Sequence, residues 1–256
     1  MKQSRNAHAF AGMILLAGFF LLSGCGGGGG DKIEQAEKHF KLGVQYFEEK
    51  QMEDALRELR KAVELNPQHA DARYHLGSLY HVLKAYSRAI KEFEELLRMN
   101  PNYPKIHTAL ANLYYERGLM MWSRAVRLDQ MAYWLPDTTR KLPFEDKAGL
   151  VDLVQQYSNK VNVDSADGET LSRLSQAYFI LAGDEYELAV DANPKDTTAQ
   201  LYLGMTYSEQ GYTDKAWAQY DIIKEFDPSA AELLNTILQQ KEREKEDIAK
   251  AKKQGG

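Results

Sequence analysis

Leu42-Gly43-x-x-Tyr46, Ala55, Leu59, Ala62 and Pro67 recur 34 residues later as Leu76-Gly77-x-x-Tyr80, Ala89, Phe93, Leu96 and Pro101. A third copy, Leu203-Gly204-x-x-Tyr207, Ala216, Tyr220 and Pro228, keeps the same internal spacing. A step of that length, with small residues and bulky apolar residues at helical intervals, predicts pairs of antiparallel helices stacked side by side. In each copy the small residues, Gly43 and Ala55 in the first, let two helix axes approach, while Leu42, Tyr46 and Leu59 fill the space around them. The prolines of Asn66-Pro67, Asn100-Pro101, Asn193-Pro194 and Asp227-Pro228 turn the preceding residue away from helix, so each closes one unit. Single helices of this length are marginal in water, and stability must come from neighbour stacking on neighbour.

Working outward, the middle of the chain breaks the period. Pro101 and Pro194 are 93 residues apart, which is no multiple of the repeat. Leu110, Tyr114, Trp122, Ala125 and Val126 align with Leu174, Tyr178, Tyr186, Ala189 and Val190 at an offset of 64. Both units lack about five residues around the inter-helix turn, so the turn is tight or the two helices run together. Between them lies an insertion over 131–166 in which Leu150, Val151, Leu153, Val154 and Tyr157 predict one amphipathic helix. Leu233, Leu234, Ile237 and Leu238 suit a helix capping the last open face, ahead of a highly charged stretch from Lys241 to Lys253 that predicts a solvated helix or frayed tail.

These blocks closely resemble the tetratricopeptide repeat. The resemblance implies an all-α fold, a right-handed superhelix (α-solenoid) of about five helix-pair units: units 1–3 over 32–130 with the third degenerate, the insertion, units 4–5 over 167–230, and the cap and tail over 231–256. It also implies binding of an extended peptide or partner helix in a concave groove lined by the first helix of each repeat. The groove slots carry over to Phe40, Val44 and Phe47 in the first repeat, Tyr74, Ser78 and His81 in the second, Thr108, Asn112 and Tyr115 in the third, and Leu201, Met205 and Ser208 in the fifth. Chaperone-binding members place a Lys and an Asn in the first repeat to hold a terminal carboxylate. Phe40 and Val44 stand there instead, which favours apolar recognition.

The N-terminus predicts export. Lys2 and Arg5 precede Ala9 to Leu22, a stretch without charge whose helix would span roughly 21 Å, against roughly 30 Å of hydrocarbon in a bilayer. That is the pattern of a signal peptide over 1–24 rather than a spanning helix. Leu22-Ser23-Gly24-Cys25 resembles the lipobox of bacterial lipoproteins, and Cys25 is the chain's one cysteine. The resemblance implies a diacylglyceryl thioether on Cys25, cleavage before it, and a glycine tether over 25–31. Two or more acyl chains anchor a protein stably. Gly26 rather than Asp after the cysteine implies the outer membrane, with the folded part facing the periplasm.

Composition narrows function further. Lys plus Arg number 32 against 37 Asp plus Glu, a net charge of −5; losing Lys2 and Arg5 with the leader would make it −7. That sign disfavours nucleic acid as a partner. His75 and His81 are six apart, a spacing that does not put two imidazoles on one helical face. The Asp164–Glu169 stretch lacks the ligand positions of a calcium loop, and reads as a turn into the helix near Thr170. No nucleophile elbow or phosphate loop is present, and acylation of Cys25 would leave no thiol to act as nucleophile, so neither an enzyme, a metal nor a cofactor is expected. Met120, Met121, Trp122, Met131, Tyr133 and Trp134 form a cluster open to two readings, filler of irregular core or adaptable binding surface. An anchored repeat array is similar to the pilotin class of lipoproteins, which implies a secretin of the type IV pilus as partner. Scaffolds for outer-membrane barrel assembly or for cell-wall hydrolases, and a general stabiliser of periplasmic complexes, are the competing expectations.

Overall fold

The computed structural model describes residues 28–128, 147–157 and 160–254. Cys25 and its lipobox, the signal segment and Met131 to Trp134 lie outside the described residues. Those described form eleven α-helices and no strand: α1 Gly28–Glu48, α2 Met52–Leu65, α3 Ala70–Val82, α4 Tyr86–Met99, α5 Ile106–Leu128, α6 Lys147–Gln156, α7 Lys160–Ser165, α8 Gly168–Ala192, α9 Thr197–Glu209, α10 Thr213–Lys224 and α11 Pro228–Gln254. The fold is all-α, a solenoid built of helix pairs. Contacts divide it into two compact units, Met1–Ala72 and Arg73–Gly256.

In the first unit α1 packs on α2. A Cβ added to Gly43 would lie 2.7 Å from Leu59 Cγ and 3.1 Å from the Leu59 backbone nitrogen. The glycine therefore leaves room for Leu59, the bulky residue of the facing helix. Leu42 is 43% exposed and fills no space there, because it sits one helical step round from the α1 face that α2 covers. Helix α1 begins at Gly28, so Gly28, Gly29 and Gly30 belong to its first turn rather than to a tether. His39 Nδ1 lies 2.6 Å from Glu58 Oε2, joining α1 to α2.

The second unit repeats the device. Gly77 admits Phe93, whose Cε1 would lie 2.5 Å from an added Cβ, and Gly204 admits Leu234 at 2.6 Å. Arg73 Nη1 and Glu92 Oε2 pair at 2.8 Å across α3 and α4. The turns between paired helices use a left-handed residue: Lys50 at φ 61°, Lys84 at φ 56° and Gly211 at φ 82°. Asn66, Asn100 and Asn193 end helices in extended or near-extended conformations just before proline, and Pro228 opens α11 behind Asp227, whose carboxylate accepts from the Ala230 amide at 3.0 Å.

Where about five turn residues are missing, the two helices of a unit run together. Helix α5 has 23 residues and α8 has 25, roughly 35 Å of continuous helix each. They lie antiparallel: His107 Nδ1 meets Glu185 Oε2 at 2.7 Å, the Tyr186 hydroxyl donates to Asn112 Oδ1 at 2.5 Å, and the Ser175 hydroxyl donates to the Gly118 carbonyl at 2.9 Å. Arg124 and Asp164 extend this run at 2.5 Å. The described part of the insertion holds two helices where one was expected. Helix α6 packs on α8 through its apolar stripe, with Leu150 and Val154 buried, and α7 is a further short turn.

Asp167 caps α8 by accepting from the Thr170 amide at 2.7 Å, which gives the Asp164–Glu169 stretch its role as a helix start. At the C-terminus Ala231, Leu234 and Leu238 of α11 close a core with Ala216 and Ile223. The charged stretch continues as helix, and its first turns are tied down: Lys241 to Glu209 at 2.5 Å, and Trp217 Nε1 to Glu242 at 2.8 Å.

Candidate functional site

The predicted groove positions fall into three kinds. Phe40, Val44 and Phe47, all half-buried on α1, belong to the first unit, where the Phe40 ring lies 4.8 Å from that of His69. Tyr74, Ser78, His81 and Thr108, half-buried on α3 and α5, belong to the second. Tyr74 rests against Phe93 at 5.8 Å and Tyr103 at 5.3 Å, and burial pushes its hydroxyl pKa up. The Ser78 hydroxyl donates to the Tyr74 carbonyl one turn back, at 2.8 Å. His81 Nε2 sits 3.0 Å from Glu116, joining α3 to α5.

The remaining positions are structural. Tyr115 is 4% exposed, wedged 5.5 Å from the rings of both Phe179 and Tyr202, and burial drives its hydroxyl pKa far above the ordinary range. Asn112 is the acceptor for Tyr186. Ser208 is buried, and Leu201 and Met205 pack on the C-terminal core. The groove positions of α3 and α5 that stay partly open are therefore Tyr74, Ser78, His81 and Thr108.

A second region in the second unit was visible only in part from sequence. Leu83 and Lys84 in the α3–α4 turn, the start of α4, the later half of α5 and Val163 and Asp164 of α7 border an open groove of about 1430 Å³. Met120, Met121 and Trp122 all line it: Met121 is buried as core, whereas Trp122 is 39% exposed. Met121 is therefore core, and Trp122 stands at the surface of the groove. Arg117, Arg124 and Arg127 line the same groove; their spacing of seven and three puts them on one helical face, a pattern present in the sequence. The Arg117 side chain, 8% exposed, lies between the rings of Tyr86 and Tyr178 at 5.6 and 5.4 Å from their centroids.

Among the described residues no three His, Cys, Asp or Glu side chains are placed to hold a metal ion, and no helix is long and apolar enough to cross a membrane. The tyrosines most shifted by burial, Tyr114, Tyr115 and Tyr186, are held neutral, which suits packing and hydrogen bonding.

Residues 46–113 match the family model of the tetratricopeptide repeat. No curated protein sequence matches the chain. Among solved structures, MamA is 20% identical, with 77% of this chain and 81% of that one covered and a TM-score of 0.45. Pseudomonas aeruginosa pilF is 18% identical, over 86% of this chain and 90% of the other, at a TM-score of 0.36. YrrB, described as a TPR protein with an unusual peptide-binding site, is 19% identical over 81% and 97%, at 0.33. The repeat match is confined to residues 46–113, and the described residues around it continue the same all-α build of packed helices.

Proposed function

We propose that the chain is a lipid-anchored scaffold that holds a segment of an envelope-assembly protein at the outer membrane, the secretin of the type IV pilus being the partner put forward here. Cys25 carries the lipid and the repeats face the periplasm. The observation that carries the reading is the combination of a lipobox around the one cysteine with half-exposed apolar side chains on the first helices of successive repeats: Phe40 and Phe47 on α1, Tyr74 on α3. Aromatic anchors of this kind commonly contribute about 2 kcal/mol or more to binding.

Two measurements test it. Cys25→Ser abolishes lipid labelling and membrane fractionation of the processed protein; a Ser variant that is still processed and membrane-bound refutes the anchor. A deletion strain complemented with Phe47→Ala/Tyr74→Ala is scored for secretin multimers and for bulk outer-membrane barrel proteins. Selective loss of secretin multimers supports the partner. A general fall in barrel proteins assigns the scaffold to barrel assembly instead, and unchanged levels of both refute the role of these aromatic side chains.

A further inference from the structure

We infer that the groove between the α3–α4 turn, the later half of α5 and α7 is a docking site for an acidic peptide segment carrying aliphatic or aromatic anchors, presented by a partner protein. It is a different surface from the partly open groove positions of α3 and α5, and extends the scaffold reading by specifying the chemistry of a second partner segment.

Charge complementarity is the first ground. Five cations line the groove, Lys84, Arg88, Arg117, Arg124 and Arg127, against one acid among the lining residues, Asp164, which is already paired with Arg124. This concentration of positive charge occurs on a chain whose net charge is −5. Among the described residues, Lys84, Arg88, Arg117 and Arg127 make no ion pair with a carboxylate; Arg88 and Arg117 are held instead over tyrosine rings. Arg117 goes further, since its Nε is buried with no hydrogen-bond partner. A guanidinium nine-tenths buried without a carboxylate is costly to leave so, and a carboxylate brought to the rim of this groove lowers that cost.

Apolar exposure is the second ground. Leu83, Leu119 and Trp122 line the groove at 43%, 37% and 39% exposure. Apolar walls with a basic rim match a segment in which acids alternate with apolar anchors, the arrangement that gives both steering and burial. The cations border a recess rather than a flat or convex face, which suits an inserted segment better than the plane of an anionic bilayer. The acidic net charge of the chain weighs against nucleic acid.

The test uses the full chain and a fluorescein-labelled synthetic peptide of about 12 residues alternating Glu with Leu and Trp, read by fluorescence anisotropy. The proposal expects saturable binding that weakens at least about tenfold in Arg88→Glu/Arg127→Glu and also in Leu119→Ser, with helicity by circular dichroism unchanged. A peptide with Lys in place of Glu should bind at least about tenfold more weakly. Equal binding of both peptides, or no loss in the charge-reversed variant, overturns the proposal. So does binding to phosphatidylglycerol vesicles by the unlipidated Cys25→Ser chain that displaces the peptide and is lost in Arg88→Glu/Arg127→Glu, which assigns the groove to lipid. If the full chain binds no peptide, and binding appears only when residues 131–144 are replaced by a Gly/Ser linker, the chain's own 129–146 segment is the occupant and the proposal fails. Phe47→Ala/Tyr74→Ala leaves this binding unchanged, so the groove and the aromatic side chains of the proposed function fail separately.

Discussion

Replacing Gly77 with alanine puts one methyl group where the structure leaves room for none. The added carbon would stand 2.5 Å from Phe93 Cε1, 2.7 Å from Cδ1 and 3.1 Å from Cζ, against the roughly 3.5 to 4.0 Å at which carbon atoms rest in contact. Phe93 is 1% exposed and has the Tyr74 ring beside it, so it cannot swing into solvent; the α3–α4 pair must spread by about an ångström. Overpacking of this kind costs roughly 1 to 3 kcal/mol. An approach of 2.5 Å to a buried ring belongs in the upper half of that range, so after alanine recovers about 1 kcal/mol of helix propensity over glycine a net loss of about 1 to 2 kcal/mol remains. With a urea slope of about 1 to 3 kcal/mol/M for a small protein, the unfolding midpoint should fall by several tenths of a molar unit or more. Gly30→Ala supplies the comparison: no heavy atom lies within 4 Å of its added carbon, so the midpoint should hold or rise. Hydrogen exchange measured by mass spectrometry should accelerate across 70–103 more than across 197–230, because each repeat leans mainly on its neighbours. A Gly77→Ala chain as stable as the parent, or one that loses protection equally in both windows, would refute the close-approach argument.

Two further outcomes follow from buried and half-buried polar contacts. Tyr186→Phe removes the hydroxyl that donates to Asn112 and strands that acceptor between α5 and α8; a loss of roughly 1 to 3 kcal/mol is expected in urea unfolding, and a change within about 0.5 kcal/mol would show that the bond contributes nothing net. The Glu58 carboxylate is held below the usual carboxylate range, first by His39 Nδ1 and then by Arg57. A depressed folded-state value means the stabilisation is complete above the unfolded value and disappears as pH falls through the folded one. Amide protection in α1 and α2 should therefore decline on acidification through and below the ordinary carboxylate range, and Glu58→Gln should flatten that slope; an unchanged slope in the variant would assign it to other carboxylates.

Much of the fold could be read from spacing, because the slots of the repeat are dictated by contacts that recur. The shortened units were legible for the same reason: remove about five turn residues and the two helices have nowhere to turn, so α5 and α8 run through. What the glycines face was not legible. The register of a helix pair depends on its turn, and the left-handed Lys50 and Lys84, themselves 34 residues apart, carry no compositional mark of that conformation. Gly43 and Gly77 have Leu59 and Phe93 as their nearest neighbours, which spacing alone did not single out. Leu42 illustrates a second limit, since its slot is buried in the second copy as Leu76 and in the third as Leu203, yet stays exposed at the first. Copying groove slots between repeats assumes that every first helix keeps the same neighbours. For Tyr115 that assumption fails: the run-through α8 brings Phe179 onto it, α9 brings Tyr202, and a groove position becomes core.

The same fusion determines how the basic groove is built. Its α5 wall is a continuous helix fixed along its length by His107–Glu185, Asn112–Tyr186 and Ser175–Gly118, so Arg117, Arg124 and Arg127 keep their mutual spacing. Its opposite wall, α7, has only six residues and cannot be stable alone. Among the described residues an ion pair and a buried valine both hold it, and magnitudes rank the two. The Arg124–Asp164 pair is 29% and 45% exposed, and pairs of that kind are worth about 0 to 1 kcal/mol. Val163 is 6% exposed, and burying a valine contributes about 1.5 to 3 kcal/mol. The apolar contact, then, sets where α7 sits, and the ion pair mainly neutralises Arg124. This leaves Lys84, Arg88, Arg117 and Arg127 as the cations that an incoming carboxylate meets, on a wall that does not have to move to receive it.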